Sequence, residues 1–128
     1  NFTRFIKVVF GHPDTGGCRK LQPHGRFMKL QRWDKNISPT AKELENSLRQ
    51  EGLDFYRWSD NSGVTCPWHT HPDLEVRWII SGSIKMGLRN DKEVILNPGD
   101  RLDLPANTEH WAKVVSRVPV VYLCASKK

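Results

Sequence analysis

The stretch 69–82 reads HTHPDLEVRWIISG: two histidines one residue apart, a glutamate four further on, then a β-rich apolar run. Imidazole nitrogen and carboxylate oxygen are ordinary ligands for zinc and iron. Three readings of these side chains are open: a surface loop, a structural pair, or half of a metal site. If the segment runs as a strand, His69 and His71 point to one face. A short bend around Pro72 then returns Glu75 to that face. Two imidazoles and a carboxylate converging on one point form a facial triad suited to a divalent transition metal with open positions. In the bland reading they are exposed loop residues that never meet.

A second stretch, Gly99 to His110, reads GDRLDLPANTEH: a glycine turn, a short strand, a proline and a histidine five beyond it. With both stretches in view the chain resembles the cupin superfamily. The first motif of that family, G-x5-HxH-x3-E-x6-G, is met by Gly63, His69, His71, Glu75 and Gly82. The second, G-x5-P-x-G-x2-H-x3-N, is met by Gly99, Pro105 and His110. The chain departs from it at Asn107, where the family has glycine, and at Val114, where it has asparagine. Asparagine tolerates the left-handed backbone that a glycine there would supply. The resemblance spans roughly Leu53 to Cys124. It implies that His69, His71, Glu75 and His110 bind one divalent transition metal inside a small β-barrel, leaving two cis positions on an octahedral ion. The same ligands serve Fe, Mn, Ni, Co and Zn, so the metal is not specified.

If the strand continues through EVRWII, Arg77 and Ile79 share the inward face with Glu75. A guanidinium directed into a barrel is expensive unless something anionic meets it. Either Arg77 anchors an anionic substrate, or it forms a structural ion pair with a nearby acid such as Asp103. The order HxHxxxExR, as His69, His71, Glu75 and Arg77, is also similar to acireductone dioxygenases, in which the arginine lies beside the bound substrate. That similarity is a chemical precedent for Arg77.

Other candidates are weaker. Cys66 lies three before His69 on the opposite parity, which predicts a thiol that is either outward or buried and inert. His12 and His24 share a Gly/Pro-rich loop with Cys18, but their spacing matches no zinc site and reads as plain loop. Trp58, Trp68, Trp78 and Trp111 cluster around the motifs; Trp68 and Trp111 flank ligands and are candidate pocket walls. No phosphate-binding loop, Ser-His-Asp order or catalytic carboxylate pair is visible.

These residues need elements to position them. FTRFIKVVFG at 2–11 and GRFMKLQRW at 25–33 read as strands joined by a glycine- and proline-rich loop. SPTAKELENSLRQEG reads as the single helix. Pro39 suits its first turn, Thr40 and Glu43 make a capping box, Ala41, Leu44 and Leu48 form an apolar stripe, and Gly52 is the stop. From Leu53 onward short strands alternate with turns. SIKMGLRNDKEVIL is a hairpin through Asn90-Asp91, with Ile84, Met86 and Leu88 on one face. Many short strands after one helix indicate an antiparallel sandwich or barrel. The predicted fold is therefore all-β: a cupin-type antiparallel barrel (jelly roll) with one short α-helix and extra N-terminal strands. At 128 residues this is read as one domain, with a basic N-terminal part at 1–37, the helix at 38–52 and the barrel at 53–128.

The formal charge of +6 is unevenly placed. Residues 1–37 carry eight Lys or Arg against two Asp, and the rest is balanced. Such asymmetry fits a solvated face, with nucleic-acid binding the lesser reading because RNA-binding signatures are absent. No apolar run approaches the roughly 18 residues of a membrane span. Three widely spaced cysteines without a CxxC, and no secretory signal pattern, fit a reducing cytoplasmic setting; Asn1 in place of Met hints at a trimmed start. Three functions remain: a metal-dependent enzyme of dioxygenase, isomerase or lyase type acting on a small oxygenated or anionic molecule, a non-catalytic metal or ligand sensor, and a nucleic-acid binder using residues 1–37. Apolar strand edges added to a small barrel further predict a homodimer.

Overall fold

The capping box forms as the sequence predicts. In the computed structural model, which describes residues 4–8 and 28–127, helix α1 (Ala41–Gln50) begins at Thr40, whose hydroxyl accepts from the Glu43 backbone amide at 3.2 Å. The Glu43 carboxylate accepts in return from the Thr40 amide. Pro39 lies one residue outside this cap, not in the first turn, and is buried there. Gly52 stops the helix with a left-handed φ of 77°. Its amide donates to Arg49 O and the Leu53 amide to Leu48 O, a pairing that satisfies the last carbonyls and needs a residue free of Cβ strain. Leu44 and Leu48 are fully buried. Each contributes about 1.5–3 kcal/mol by leaving water.

The described strands are β1 (Arg4–Val8), β2 (Met28–Arg32), β3 (Asp54–Asp60), β4 (Thr65–His69), β5 (Leu74–Ser81), β6 (Ile84–Leu88), β7 (Lys92–Leu96), β8 (Arg101–Leu104), β9 (His110–Val114) and β10 (Val120–Lys127). They form two antiparallel sheets, one of six strands in the order β1-β2-β8-β5-β10-β3 and one of four in the order β4-β9-β6-β7. Both N-terminal strands join the six-stranded sheet, with Met28 and Leu30 buried in its core face. The β6–β7 hairpin turns through Asn90 and Asp91, both left-handed as a type I′ turn requires.

Strand β5 is central, and its alternation sorts the interior into two layers. Val76 and Trp78 pack with Leu44 and Leu48 of the helix. Ile79 packs with Ile84, Met86, Leu88 and Leu102 between the two sheets. A strand covered on both faces accounts for the unbroken apolar run after Arg77. Glu75 and Arg77 therefore point into the space between the sheets, as alternation predicts.

The Asn97–Asp100 turn locks β2 in place. Asp100 is buried, and its carboxylate accepts from the Trp33 amide, Arg32 Nη1 and the Asn97 amide at 2.8–2.9 Å. The Trp33 ring lies over Gly99, where a Cβ would come within 2.1 Å of its Cγ. One of the N-terminal cations, Arg32, is thus committed to internal structure rather than to an open basic face. His12, His24 and Cys18 lie outside the described residues.

Candidate metal centre

His69 closes β4 and His110 opens β9, and the two are register partners across the four-stranded sheet. His71 follows in the turn to β5, where its carbonyl accepts from the Asn107 amide at 2.7 Å. This bond ties the loops of the two sequence motifs together. Asn107 holds a left-handed φ of 61°, the conformation expected for a residue standing in for glycine. The three rings meet with centroids 4.3 Å (His69–His110), 4.8 Å (His69–His71) and 5.2 Å (His71–His110) apart. One nitrogen from each lies within 4.8 Å of the others, a cluster able to hold a metal ion.

Backbone carbonyls choose which nitrogen two of the three rings present. His69 Nδ1 contacts Pro67 O at 2.6 Å and His110 Nδ1 contacts Thr108 O at 2.8 Å. An imidazole donating from Nδ1 carries its lone pair on Nε2, the arrangement of a metal ligand held by an outer hydrogen bond. Burial lowers the His110 pKa, against the opposing pull of the Thr108 bond, and so favours the neutral ring.

Glu75 stands beside this cluster with its two oxygens in different circumstances. Oε2 accepts from Arg77 Nη2 at 3.1 Å and from the Cys124 thiol at 3.0 Å. Oε1 lies 3.0 Å from His71 Nε2, yet among the described residues neither atom makes a hydrogen bond. His110 Nε2 is likewise buried and has no partner among them. Buried polar atoms are almost always paired. Unpaired atoms of ligand type at such a cluster are what remains when the group they face is a cation. The three histidine nitrogens therefore fit a divalent metal, with Glu75 Oε1 beside His71.

Burial by itself raises the Glu75 pKa, but the Arg77 charge, the Cys124 bond and His71 outweigh it and hold the carboxyl below its usual range. Cys124 moves the other way: burial, then the charge of Glu75, push its thiol up to about 11, so it stays a donor. Arg77 is only 6% exposed and lies 4.7 Å from the Tyr122 ring centroid. Its anionic partner is Glu75 and not Asp103, which is engaged by Arg101 at 2.8 Å. Arg77 Nε is buried and has no partner among the described residues.

Two cavities flank the histidines. An inner one of about 30 Å³ touches His69, Arg77, Cys66 and Tyr122. An outer one of about 300 Å³ touches His71, Glu75, Tyr56 and Cys124. Cys66 thus faces inward, the buried alternative of the two that the sequence leaves open, and on the face of His69 rather than the opposite one. The pairing of β4 with β9 shifts between Cys66 and His69, and that bulge puts both residues on one face. Trp68 and Trp111 line neither cavity. Their rings meet edge to face at 6.5 Å, with Trp111 packed over Gly87. Trp111 alternates with inward His110 and so lies on the outer surface of the sheet. The sequence also carries no signal for Cys124, which meets Glu75 only because β10 pairs with β5.

Comparison with known proteins agrees with this geometry. Acireductone dioxygenase from Trichodesmium erythraeum is 45% identical over 47 residues, covering 34% of this chain and 26% of the relative. The same enzyme from Leptospira biflexa is 48% identical over 46 residues, with the same shares. The chain thus matches about a quarter of the length of these curated relatives. Among solved structures, a putative mannose-6-phosphate isomerase from Ralstonia eutropha superposes with a TM-score of 0.53 at 28% identity, covering 59% of this chain and 74% of that one. A DMSP lyase from Ruegeria pomeroyi gives 0.54 at 25% identity, over 59% of this chain and 38% of the other. The cupin domain profile matches residues 57–126, from β3 through the end of the barrel and across every histidine of the cluster, and the chain belongs to the cupin domain family.

Proposed function

We propose that this chain is a metal-dependent cupin enzyme acting on a small oxygenated or anionic molecule such as an enediol, keto acid or diketone. His69, His71, His110 and Glu75 hold one divalent transition metal, with Glu75 contributing Oε1. The observation that carries this reading is the cluster of three histidines with Glu75 Oε1 beside His71, where His71 Nε2, Glu75 Oε1 and His110 Nε2 are buried without hydrogen-bond partners among the described residues. A divalent ion held there supplies Lewis acidity to polarise substrate oxygens and, where redox-active, a path to dioxygen chemistry.

The chain's own residues do the rest. Arg77 keeps one edge of its guanidinium on Glu75, and its unpaired Nε is the donor left for an anionic group of the substrate. The outer cavity, at about 300 Å³, is in the range of small-molecule sites and opens beside His71 and Glu75. Apolar walls of Ile84, Ala112 and Val114 limit water around the inner void, which strengthens the attraction between Arg77 and Glu75. The partial similarity to acireductone dioxygenases favours oxygen chemistry. The isomerase and the lyase among the structural relatives keep those two reaction classes beside it.

Elemental analysis of the purified protein comes first, followed by oxygen-uptake and product assays on the metal-loaded protein with enediols, keto acids and diketones. Turnover of one such class, lost in His110→Ala, is the expected result. No turnover, together with an unchanged Co(II) absorption spectrum on addition of every candidate, rejects the proposal.

A further inference from the structure

The geometry points to Cys124 as a positioning residue for the metal site: its thiol, together with Arg77, holds Glu75 Oε2 and so leaves Oε1 as the one carboxylate oxygen directed at the histidines. This inference rests on the proposed metal site, and it assigns a task to a residue that carries no ligand atom of its own.

Cys124 occupies the middle of β10, with Arg77 of β5 as its register partner on one side and Tyr56 of β3 on the other. That placement brings its Sγ 3.0 Å from Glu75 Oε2, while Arg77 Nη2 approaches the same oxygen at 3.1 Å from another direction. The terminal torsion of a glutamate is soft and nearly two-fold, so a carboxylate with free oxygens rotates between them. Two donors on one oxygen remove that freedom. Arg77 alone is a poor lock, because it sits on the same strand two residues along and follows any movement of Glu75's backbone. The thiol comes from a different strand and fixes the carboxylate against the sheet. Loss of outer-sphere partners of this kind typically weakens metal binding about 10–100-fold.

The experiment uses the whole chain and Co(II) as probe, with affinity measured by competition against a chelator and the visible spectrum recorded for each variant. Cys124→Ala removes the donor, and Cys124→Ser restores one. Cys124→Ala is expected to bind Co(II) about tenfold or more weakly, with a changed spectrum, and Cys124→Ser to recover most of the affinity. A side chain that only fills space gives the opposite order, since a hydroxyl suits an apolar core less well than a methyl. Serine no better than alanine, alanine equal to wild type, or a failure of both variants to fold overturns the inference. His110→Ala serves as the reference. If it binds Co(II) as wild type does, or if wild type binds none, the metal site itself falls; if only the cysteine variants behave unexpectedly, the positioning role falls alone.

Discussion

His71 Nε2 and Glu75 Oε1 lie 3.0 Å apart, and both are buried without a hydrogen bond among the described residues. Two buried polar atoms this close and unbonded are unfavourable unless a proton or a cation sits beside both. A divalent ion should therefore stabilise the fold strongly. At a free concentration one hundred times its Kd the gain is about 2.7 kcal/mol. Thermal melts with and without Zn(II) or Co(II) measure it, and a chelator should reverse the shift. An unmoved melting temperature at saturating metal would count against the site.

Removal of a ligand gives the complementary result. His69→Ala and His110→Ala should each lose most of the bound metal, because each deletes a nitrogen preset by a backbone carbonyl. Metal content by elemental analysis decides it, and full retention in both variants would sink the assignment.

Arg77 separates two roles by substitution. Arg77→Ala leaves Glu75 buried without its ion-pair partner and should cost about 3–5 kcal/mol. Arg77→Lys keeps a cation opposite Glu75 and should preserve most of that stability and the metal. It loses the planar fork, however, so binding of a carboxylate or enediolate should fall. Denaturant titration beside a ligand-binding assay reads both. A lysine variant with undiminished ligand binding would remove Arg77 from the proposed anchor role.

Asp100 is expected to be more costly than its turn position implies. Asp100→Ala strips an acceptor from Arg32, from the Trp33 amide and from the Asn97 amide at once. Each donor left unsatisfied costs up to about 1–3 kcal/mol, and less where it reaches water, as half-exposed Arg32 does. Hydrogen exchange should then rise first in β2, and equal protection there in both proteins would contradict the predicted anchoring.

Asn107 offers a finer test. Asn107→Gly removes left-handed strain and should match or slightly exceed wild-type stability, whereas Asn107→Val should lose about 1–2 kcal/mol. Because the Asn107 amide also braces His71 O, the valine variant should bind metal less tightly. Chelator competition measures that loss, and wild-type affinity in Asn107→Val would uncouple the turn from the site.

Features written in short intervals are legible along the chain alone. The capping box of Thr40 and Glu43, the hairpin turn at Asn90-Asp91, the left-handed Asn107 and the shared face of Glu75, Arg77 and Ile79 each depend on residues at most a few positions apart, where backbone geometry leaves few choices. The three histidines are legible for a different reason: their spacing fits a recurrent pair of motifs, and β4–β9 pairing then brings His69 beside His110. Alternation fails wherever the ladder does not run evenly. The register shift between Cys66 and His69 puts the thiol on the face of His69 that parity denies it. Trp68 and Trp111 do follow alternation, and their rings meet edge to face away from the pocket they flank in sequence. Arg77 finds Glu75 on its own strand, while Arg101 takes Asp103. Cys124 reaches Glu75 through a strand pairing that spans 49 residues of sequence. Local torsions and spacing can be read along a chain, but which buried donor meets which acceptor depends on strand order and register, and those are set only when the whole sheet packs.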